Sequence, residues 1–324
     1  MQGTNTSRGT VVITGAFSYT GKYATRLLLD RGYEVRTLTN HPERANHFGG
    51  MVQAFPYNFE RPEELVRALH GASTIINTYW VRFPRGKSTF ETAVQNTGTL
   101  IAAAKNAGVR RIVHVSVANP SLESPLGYYQ GKAQLEKSVV ESGLSYAILR
   151  PTVVFGLEDI LINNIAWFVR HFPVFGIPGD GQYRIRPIYV EDLARLVVHA
   201  VEQEGNLLLD AVGPETFSFE ELVKQIAVQM QRPVRLVHMP APLAFVFTRL
   251  IGWLVGDVVL TREEYRGLMS NLLDSESAPA GETRISQWLA QNREHLGRKY
   301  ASEVARHYAR PQPEASPLDG GCRS

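Results

Sequence analysis

Apolar and polar positions along the first half of the chain alternate between two rhythms. Short apolar runs at Thr10 to Thr14, Val35 to Thr39, a weaker Val52 to Phe55, Thr74 to Asn77, Arg111 to Ser116 and Ser145 to Leu149 read as six strands. Between them lie segments of helical spacing: Tyr23 to Asp30, with Leu27 to Leu29 turned inward, Glu63 to Leu69, Thr89 to Asn106 and Leu126 to Ser142. Strands joined through helices predict right-handed βαβ units, and so an α/β fold built on a doubly wound parallel sheet.

After Arg150-Pro151 the rhythm changes. Leu161 to His171 and Val190 to Gln203 have helical spacing, Phe172 to Tyr183 is rich in glycine and proline, and Asn206 to Asp210 reads as a strand returning to the main sheet. From Phe219 onward the pattern is mostly helical, with a break near Leu236 and a loop over Ser275 to Gly281. The expected division is a sheet domain over 8–157, completed by about 188–212, and a smaller, mostly helical lobe assembled from 158–187 and 213–309. Residues 310–324 have the composition of a disordered tail. No repeat or low-complexity linker separates the lobes, which predicts that they interweave.

A chain of 324 residues can bury one large or two unequal cores, and 44% hydrophobic with 20% charged residues is the balance of a soluble globular protein. The net charge of +3, with no arginine-rich stripe among aromatics, argues against nucleic acid as a partner. The one cysteine, Cys322, excludes a disulfide framework, and the histidines show no metal-ligand spacing. Met1 to Gly9 is polar and carries no apolar signal core, so the expected location is cytoplasmic. Met239 to Leu260 departs from this ordinary picture, being rich in large apolar side chains but interrupted by Pro242, Arg249 and Asp257. A spanning helix needs about twenty apolar residues, so the segment reads as a packed helix of the second lobe, with peripheral membrane contact as the alternative.

Gly15-Ala-Phe17-Ser18-Tyr19-Thr20-Gly21 lies at the first strand-to-helix turn. There, backbone N–H groups and the positive helix end are offered to a dinucleotide pyrophosphate, which makes the sheet a Rossmann-type one. Gly15 makes the tight turn and Gly21 lets the helix approach the strand. Ser18 occupies a position where glycine is usual, and either narrows the cleft or bonds a phosphate. An acidic residue about twenty positions on would favour NAD. Here the second strand ends Leu38-Thr-Asn40-His-Pro-Glu-Arg44, with no carboxylate at its tip and with Arg36 and Arg44 nearby, which favours NADP(H) over NAD(H). Against this, Arg36 has a solvent-facing alternative and Glu43 competes. Asn58 follows the third strand, placed either for the adenine amino group or as a solvated turn residue.

Tyr128 and Lys132 stand four residues apart in Gly127-Tyr-Tyr-Gln-Gly-Lys132, after Ser116 closes the fifth strand. On a helix these two share a face, so the ammonium favours ionisation of a phenol that otherwise titrates near pH 10 and shuttles protons poorly. Tyr129 is rotated about 100° away from that face. The plain alternative is a half-buried tyrosine beside a solvated lysine.

With turn, Ser116, Tyr128 and Lys132 in this order, the chain resembles the short-chain dehydrogenase/reductases from Val11 to about Leu273. Ala104 to Ser116, Leu149-Arg-Pro-Thr-Val-Val-Phe-Gly156, Gly179-Asp-Gly181 and Val190-Glu-Asp-Leu-Ala194 carry a similarity to the extended and atypical branch, often labelled epimerase/dehydratase-like. Its flavour is similar to the group containing the nucleotide-holding accessory subunit of respiratory complex I. The resemblance implies that Tyr128 shuttles the proton, Lys132 bonds the nicotinamide ribose and lowers the tyrosine pKa, and Ser116 orients the substrate oxygen. It also implies that Pro151 to Val153 pass the carboxamide. Asn58 and Asn77-Thr78-Tyr79-Trp80 depart from the pattern: Tyr79 and Trp80 crowd the nicotinamide, stack on substrate or serve as core aromatics.

The function expected is an NAD(P)-dependent oxidoreductase or epimerase/dehydratase-like enzyme acting on a secondary alcohol or ketone, with a nucleotide sugar among the candidate substrates. A sugar diphosphate would need cations, for which Arg184 and Arg186 are the candidates unless they pair with Glu191 or Asp192. Trp80 is a further substrate candidate. Two alternatives remain: an NADP(H)-binding structural or scaffold protein of a membrane-associated complex, and a redox-sensing regulator, against which Tyr128 argues. A two-helix homodimer face is common among relatives.

Overall fold

The computed structural model describes residues 8–258, 260–302 and 304. The tail expected over 310–324, with Cys322, and most of the polar start lie outside them. In chain order the elements are β1 (Thr10–Thr14), α1 (Tyr19–Asp30), β2 (Glu34–Thr39), β3 (Val52–Pro56), α2 (Pro62–Leu69), β4 (Ala72–Asn77), α3 (Phe90–Asn106), β5 (Arg111–Val115), α4 (Gly127–Glu141), β6 (Ser145–Pro151) and β7 (Val154–Phe155). Then follow α5 (Leu161–His171), β8 (Val174–Pro178), β9 (Arg184–Ile185), β10 (Ile188–Tyr189), α6 (Val190–Glu202), β11 (Leu207–Ala211), β12 (Phe217–Ser218), α7 (Phe219–Gln229), β13 (Arg235–Met239), α8 (Ala241–Val255), α9 (Arg262–Met269) and α10 (Ile285–Asn292).

Seven strands form one parallel sheet in the order β11-β6-β5-β4-β1-β2-β3. The order reverses between β1 and β4, and a crevice at such a point is where an open α/β sheet takes its ligand. Central strands are buried on both faces because helices cover both. One core unites Val11 and Ile13 with Leu28 of α1 and Leu193, Val197 and Val198 of α6. The other joins Val12 and Ile75 to Leu65 of α2 and Leu100 and Ala104 of α3.

Helix α1 starts at Tyr19 rather than Tyr23. Its first turn, Tyr19-Thr-Gly-Lys22, carries too little apolar periodicity to be read, yet this extension brings the helix end onto the turn. The break expected near Leu236 is strand β13, which pairs in parallel with β8 inside the glycine- and proline-rich stretch.

The second lobe has its own core, in which Phe155, Ile162, Ile177, Phe219 and Trp288 meet. It is stitched to the sheet domain through the Val190-Glu-Asp192 block. Asp192, 3% exposed, accepts the N–H groups of Glu282 and Thr283 at 3.0 and 2.8 Å. The residues behind that resemblance thus serve as a clasp between the lobes.

Candidate active site

The first turn folds as an anion cradle. Gly15 adopts φ +73°, in the left-handed region that favours glycine, and a Cβ at Gly21 would stand 2.0 Å from the Gly15 carbonyl oxygen. The turn is pinned by Gly15 N–H donating to Leu38 O and Ala16 N–H donating to Thr37 Oγ1, each at 2.9 Å. Ser18 is the N-cap of α1, but its side chain makes no capping bond and the first turn carries no acidic residue. Its hydroxyl lies over Gly15 instead, 3.2 Å from the place a Cβ would occupy. The helix end is therefore open to an external anion, and these residues fit a dinucleotide pyrophosphate.

The adenosine end departs in part from expectation. Arg36 does not reach it: its guanidinium donates to His70 O at 2.8 Å and to Glu34 at 3.0 Å, at the amino end of the sheet. A side chain midway along β2 is drawn to the nearest carbonyl and carboxylate, and that edge is the opposite one from the turn. Arg44 has no carboxylate partner among the described residues, and Asn40 lines the cavity. The amide of Asn58 is bound to Glu64. Phe17 stacks on Phe48, with ring centroids 6.3 Å apart.

The tips of β1 and β4 are laced together. Thr14 Oγ1 accepts the N–H groups of Thr78 and Tyr79 at 2.7 and 3.0 Å, and the Thr78 hydroxyl donates to Thr14 O. Tyr79 accepts from Asn96 at 2.9 Å, and burial raises its pKa against the opposing effect of that bond.

Helix α4 brings Tyr128 to the cavity wall, half-buried and edge-on to Trp80 and Phe90, with centroids 5.7 and 5.9 Å away. Tyr129 is buried against α9, where a Cβ at Gly267 would come 3.1 Å from its ring, and burial pushes its pKa up. Lys132 is buried; its Nζ donates to Val115 O at 3.0 Å and lies 4.9 Å from the Trp80 ring centre. Burial pulls its pKa down to about 7, against an upward pull from Glu136. Ser116 Oγ and Trp80 Nε1 are buried with no hydrogen-bond partner among the described residues. Such unspent capacity is rare in a folded interior; Trp80 lines the cavity, whereas Ser116 lies behind the neighbouring Val117, which lines it.

Three features escape sequence reasoning. Glu263 of α9 accepts the N–H groups of Gly127 and Tyr128 at 3.2 and 3.1 Å, capping a helix whose own N-cap, Leu126, has no side-chain bond to give. Gly131 admits the indole, since a Cβ there would come 2.7 Å from Trp80. Arg82 pairs with Glu264 at 2.5 Å, tying the loop after β4 to α9. None leaves a local signal, because the partners are remote in sequence.

Pro151 closes β6 in the core, and Val153 lines the cavity. Arg184 and Arg186 do not serve it. Arg184 pairs with Asp274 at 2.6 Å, and Arg186 donates to the carbonyls of Gly213, Ser275 and Ser277 at 2.9, 2.7 and 2.7 Å. Both are consumed in holding the 271–277 segment. Nor do they pair with the carboxylates expected, since Glu191 binds Arg26 and Asp192 binds Arg195.

A family model described as NAD(P)H-binding matches residues 15–159, the stretch that contains the cradle, Ser116, Tyr128 and Lys132. That stretch is therefore similar to NAD(P)H-binding domains, and the chain resembles the extended short-chain dehydrogenase/reductase-like proteins. It is 27% identical over 243 residues to the mitochondrial NADH dehydrogenase [ubiquinone] 1 alpha subcomplex subunit 9 of Arabidopsis thaliana, covering 72% of this chain and 60% of that protein. The chain thus spans less than two-thirds of that relative's length. It is 26% identical over 242 residues to the ceramide reductase of Caulobacter vibrioides, covering 73% of this chain and 75% of that one. Its fold is similar to that of the Citrobacter triphenylmethane reductase complexed with NADP(H), with TM-score 0.72, 17% identity and coverage of 87% and 99% of the two chains. The parallel sheet is thereby a Rossmann-like one shared with epimerases and reductases.

Proposed function

We propose that this protein is an NADP(H)-dependent oxidoreductase that interconverts a ketone and a secondary alcohol, with Tyr128 as proton carrier. The observation that carries this reading is a single cavity of about 1310 Å³ whose wall joins Tyr19 and Thr20 of the cradle to Trp80 and Tyr128. NADPH, when bound, supplies the hydride that reaches the carbonyl carbon. Ser116 Oγ donates to the substrate oxygen, and Tyr128 Oη delivers the proton to that oxygen and is reprotonated from solvent. Lys132, one helical turn on, stabilises the phenolate when charged; a neighbouring anion raises its pKa and favours that form. Arg44 is the cation for a 2′-phosphate, and the want of a carboxylate at the β2 tip supports NADP(H).

Tyr128→Phe is expected to lower kcat by about 10²- to 10⁴-fold, the usual worth of a positioned acid, while NADPH binding stays unchanged by titration calorimetry. An unaltered rate rejects the role. Arg44→Glu is expected to weaken NADPH by roughly tenfold or more, about 1.4 kcal/mol, and to spare NADH; equal effects on both would reject the NADP(H) assignment. A cytoplasmic location and a homodimer accompany this reading, to be checked by fractionation and sedimentation.

The Trp80 ring over the Lys132 ammonium favours a second reading, that of a nucleotide-holding structural protein in a membrane-associated assembly. It predicts that nucleotide co-purifies, that no carbonyl compound is turned over, and that Tyr128→Phe leaves the cellular phenotype intact.

A further inference from the structure

The cavity changes character along its length. Its charged wall residues satisfy one another or the backbone: Arg82 pairs with Glu264, Glu263 caps α4, and Asp159 accepts the N–H of Ile162 at 2.6 Å. Arg184 and Arg186 are bound elsewhere. Among the described residues, Arg82 is the one Lys or Arg lining the cavity, and it is bound to Glu264, so no unpaired cation of the wall meets the diphosphate that a sugar nucleotide would bring. The far end is walled by side chains such as Phe168, Phe175, Ile251 and Val255.

The mouth of this end is apolar as well. Phe172, Val174 and Val237 line the cavity and are also exposed. Beside them runs α8, packed on β8. At about 100° per residue, Ala244, Thr248, Ile251 and Val255 face the cavity, while Leu243, Val246 and Trp253, exposed to 55%, 63% and 79%, lie on the opposite side. Exposed Arg249 shares that outer side, and exposed Arg235 pairs with Val174 across the small sheet at the mouth. Neither has a carboxylate partner among the described residues, and α8 holds no acidic residue. An apolar face set with unpaired arginines complements an anionic phospholipid surface. Fifteen residues of helix reach only about 22 Å, short of the roughly 30 Å needed to cross, so α8 would lie on the bilayer.

We propose that the substrate is a lipid with a long apolar chain and a carbonyl or hydroxyl group, drawn from an anionic bilayer on which the outer face of α8 rests. The chain occupies the Phe168–Ile251 end, and the reactive carbon stands at Tyr128. The proposal rests on the oxidoreductase reading for its chemistry, but its test does not need turnover. The probes are cis-parinaric acid, whose fluorescence rises in an apolar site, and vesicles of phosphatidylcholine with or without phosphatidylglycerol.

The expected result is saturable binding of the probe to the full chain, retained in Tyr128→Phe and weakened about tenfold by Ile251→Glu, since a buried unpaired carboxylate is costly. Ile251→Trp, which fills the space without charge, guards against a folding defect and should weaken binding likewise. Co-sedimentation with phosphatidylglycerol vesicles is expected to fall about tenfold or more in Trp253→Glu, with probe binding in solution unchanged, given that each face of α8 acts separately. Absence of saturable probe binding, or displacement of the probe by UDP-glucose, overturns the proposal even if a small ketone is reduced. Vesicle binding that ignores Trp253→Glu, or a dimer that this substitution dissociates, overturns the bilayer as occupant of the face. Probe binding with no turnover of any carbonyl lipid rejects the oxidoreductase reading and leaves lipid binding standing.

Discussion

Lys132 is the residue at which the structure departs most from a solvated surface lysine. Its ammonium lies against Val115 O and the Trp80 ring, and burial outweighs the upward pull of Glu136 in setting its pKa near 7. The unfolded chain, with lysine near its ordinary 10.5, binds more protons between those two values, so stability rises as pH climbs through that window. Below about pH 7 the burial penalty is full. Lys132→Met is therefore expected to stabilise the nucleotide-free protein more at pH 6 than at pH 9.5, as read by urea unfolding at each pH. A gain independent of pH would show that the ammonium is not buried in solution.

Among the elements, α4 depends on a neighbour for its amino end. Leu126 offers no cap, and Glu263 supplies the missing acceptor from α9, placing a carboxylate where the helix dipole favours one. Since Tyr128 N–H is one of the two donors held, Glu263 is a positioning residue for the phenol. Glu263→Ala is expected to cost about 1–2 kcal/mol of stability and to lower kcat with little change in KM. Glu263→Gln, which keeps one acceptor oxygen, should recover part of both. Equal losses in the two variants would point to charge alone.

For the whole molecule, the sheet domain is not a contiguous piece of chain. Strand β11 completes the sheet beside β6, and α6 fills the core beneath it with Leu193, Val197 and Val198, all fully buried. Removing these three side chains forfeits roughly 5–9 kcal/mol of burial, comparable with the 5–15 kcal/mol that holds a domain folded. A fragment ending at residue 157 is thus expected to lack cooperative unfolding by circular dichroism and to bind no NADPH, although it includes most of the family match. A folded, nucleotide-binding fragment would contradict this division of the core.

The sequence by itself determined the strand and helix order of the first half, the glycine-bracketed turn, the shared helix face of Tyr128 and Lys132 and the return of the chain through Asn206 to Asp210, because each rests on local periodicity or on backbone constraints. What the tertiary structure decided are the pairings between residues remote in sequence. Arg36, Arg184 and Arg186, plausible phosphate ligands by position along the chain, were claimed by carbonyls and carboxylates that only folding brings near. Glu263 became a cap, Trp80 a cover for Lys132, and α8 a wall with two apolar faces for the same reason. A charged or aromatic side chain takes whichever partner the fold places within reach, and chain spacing does not encode that distance.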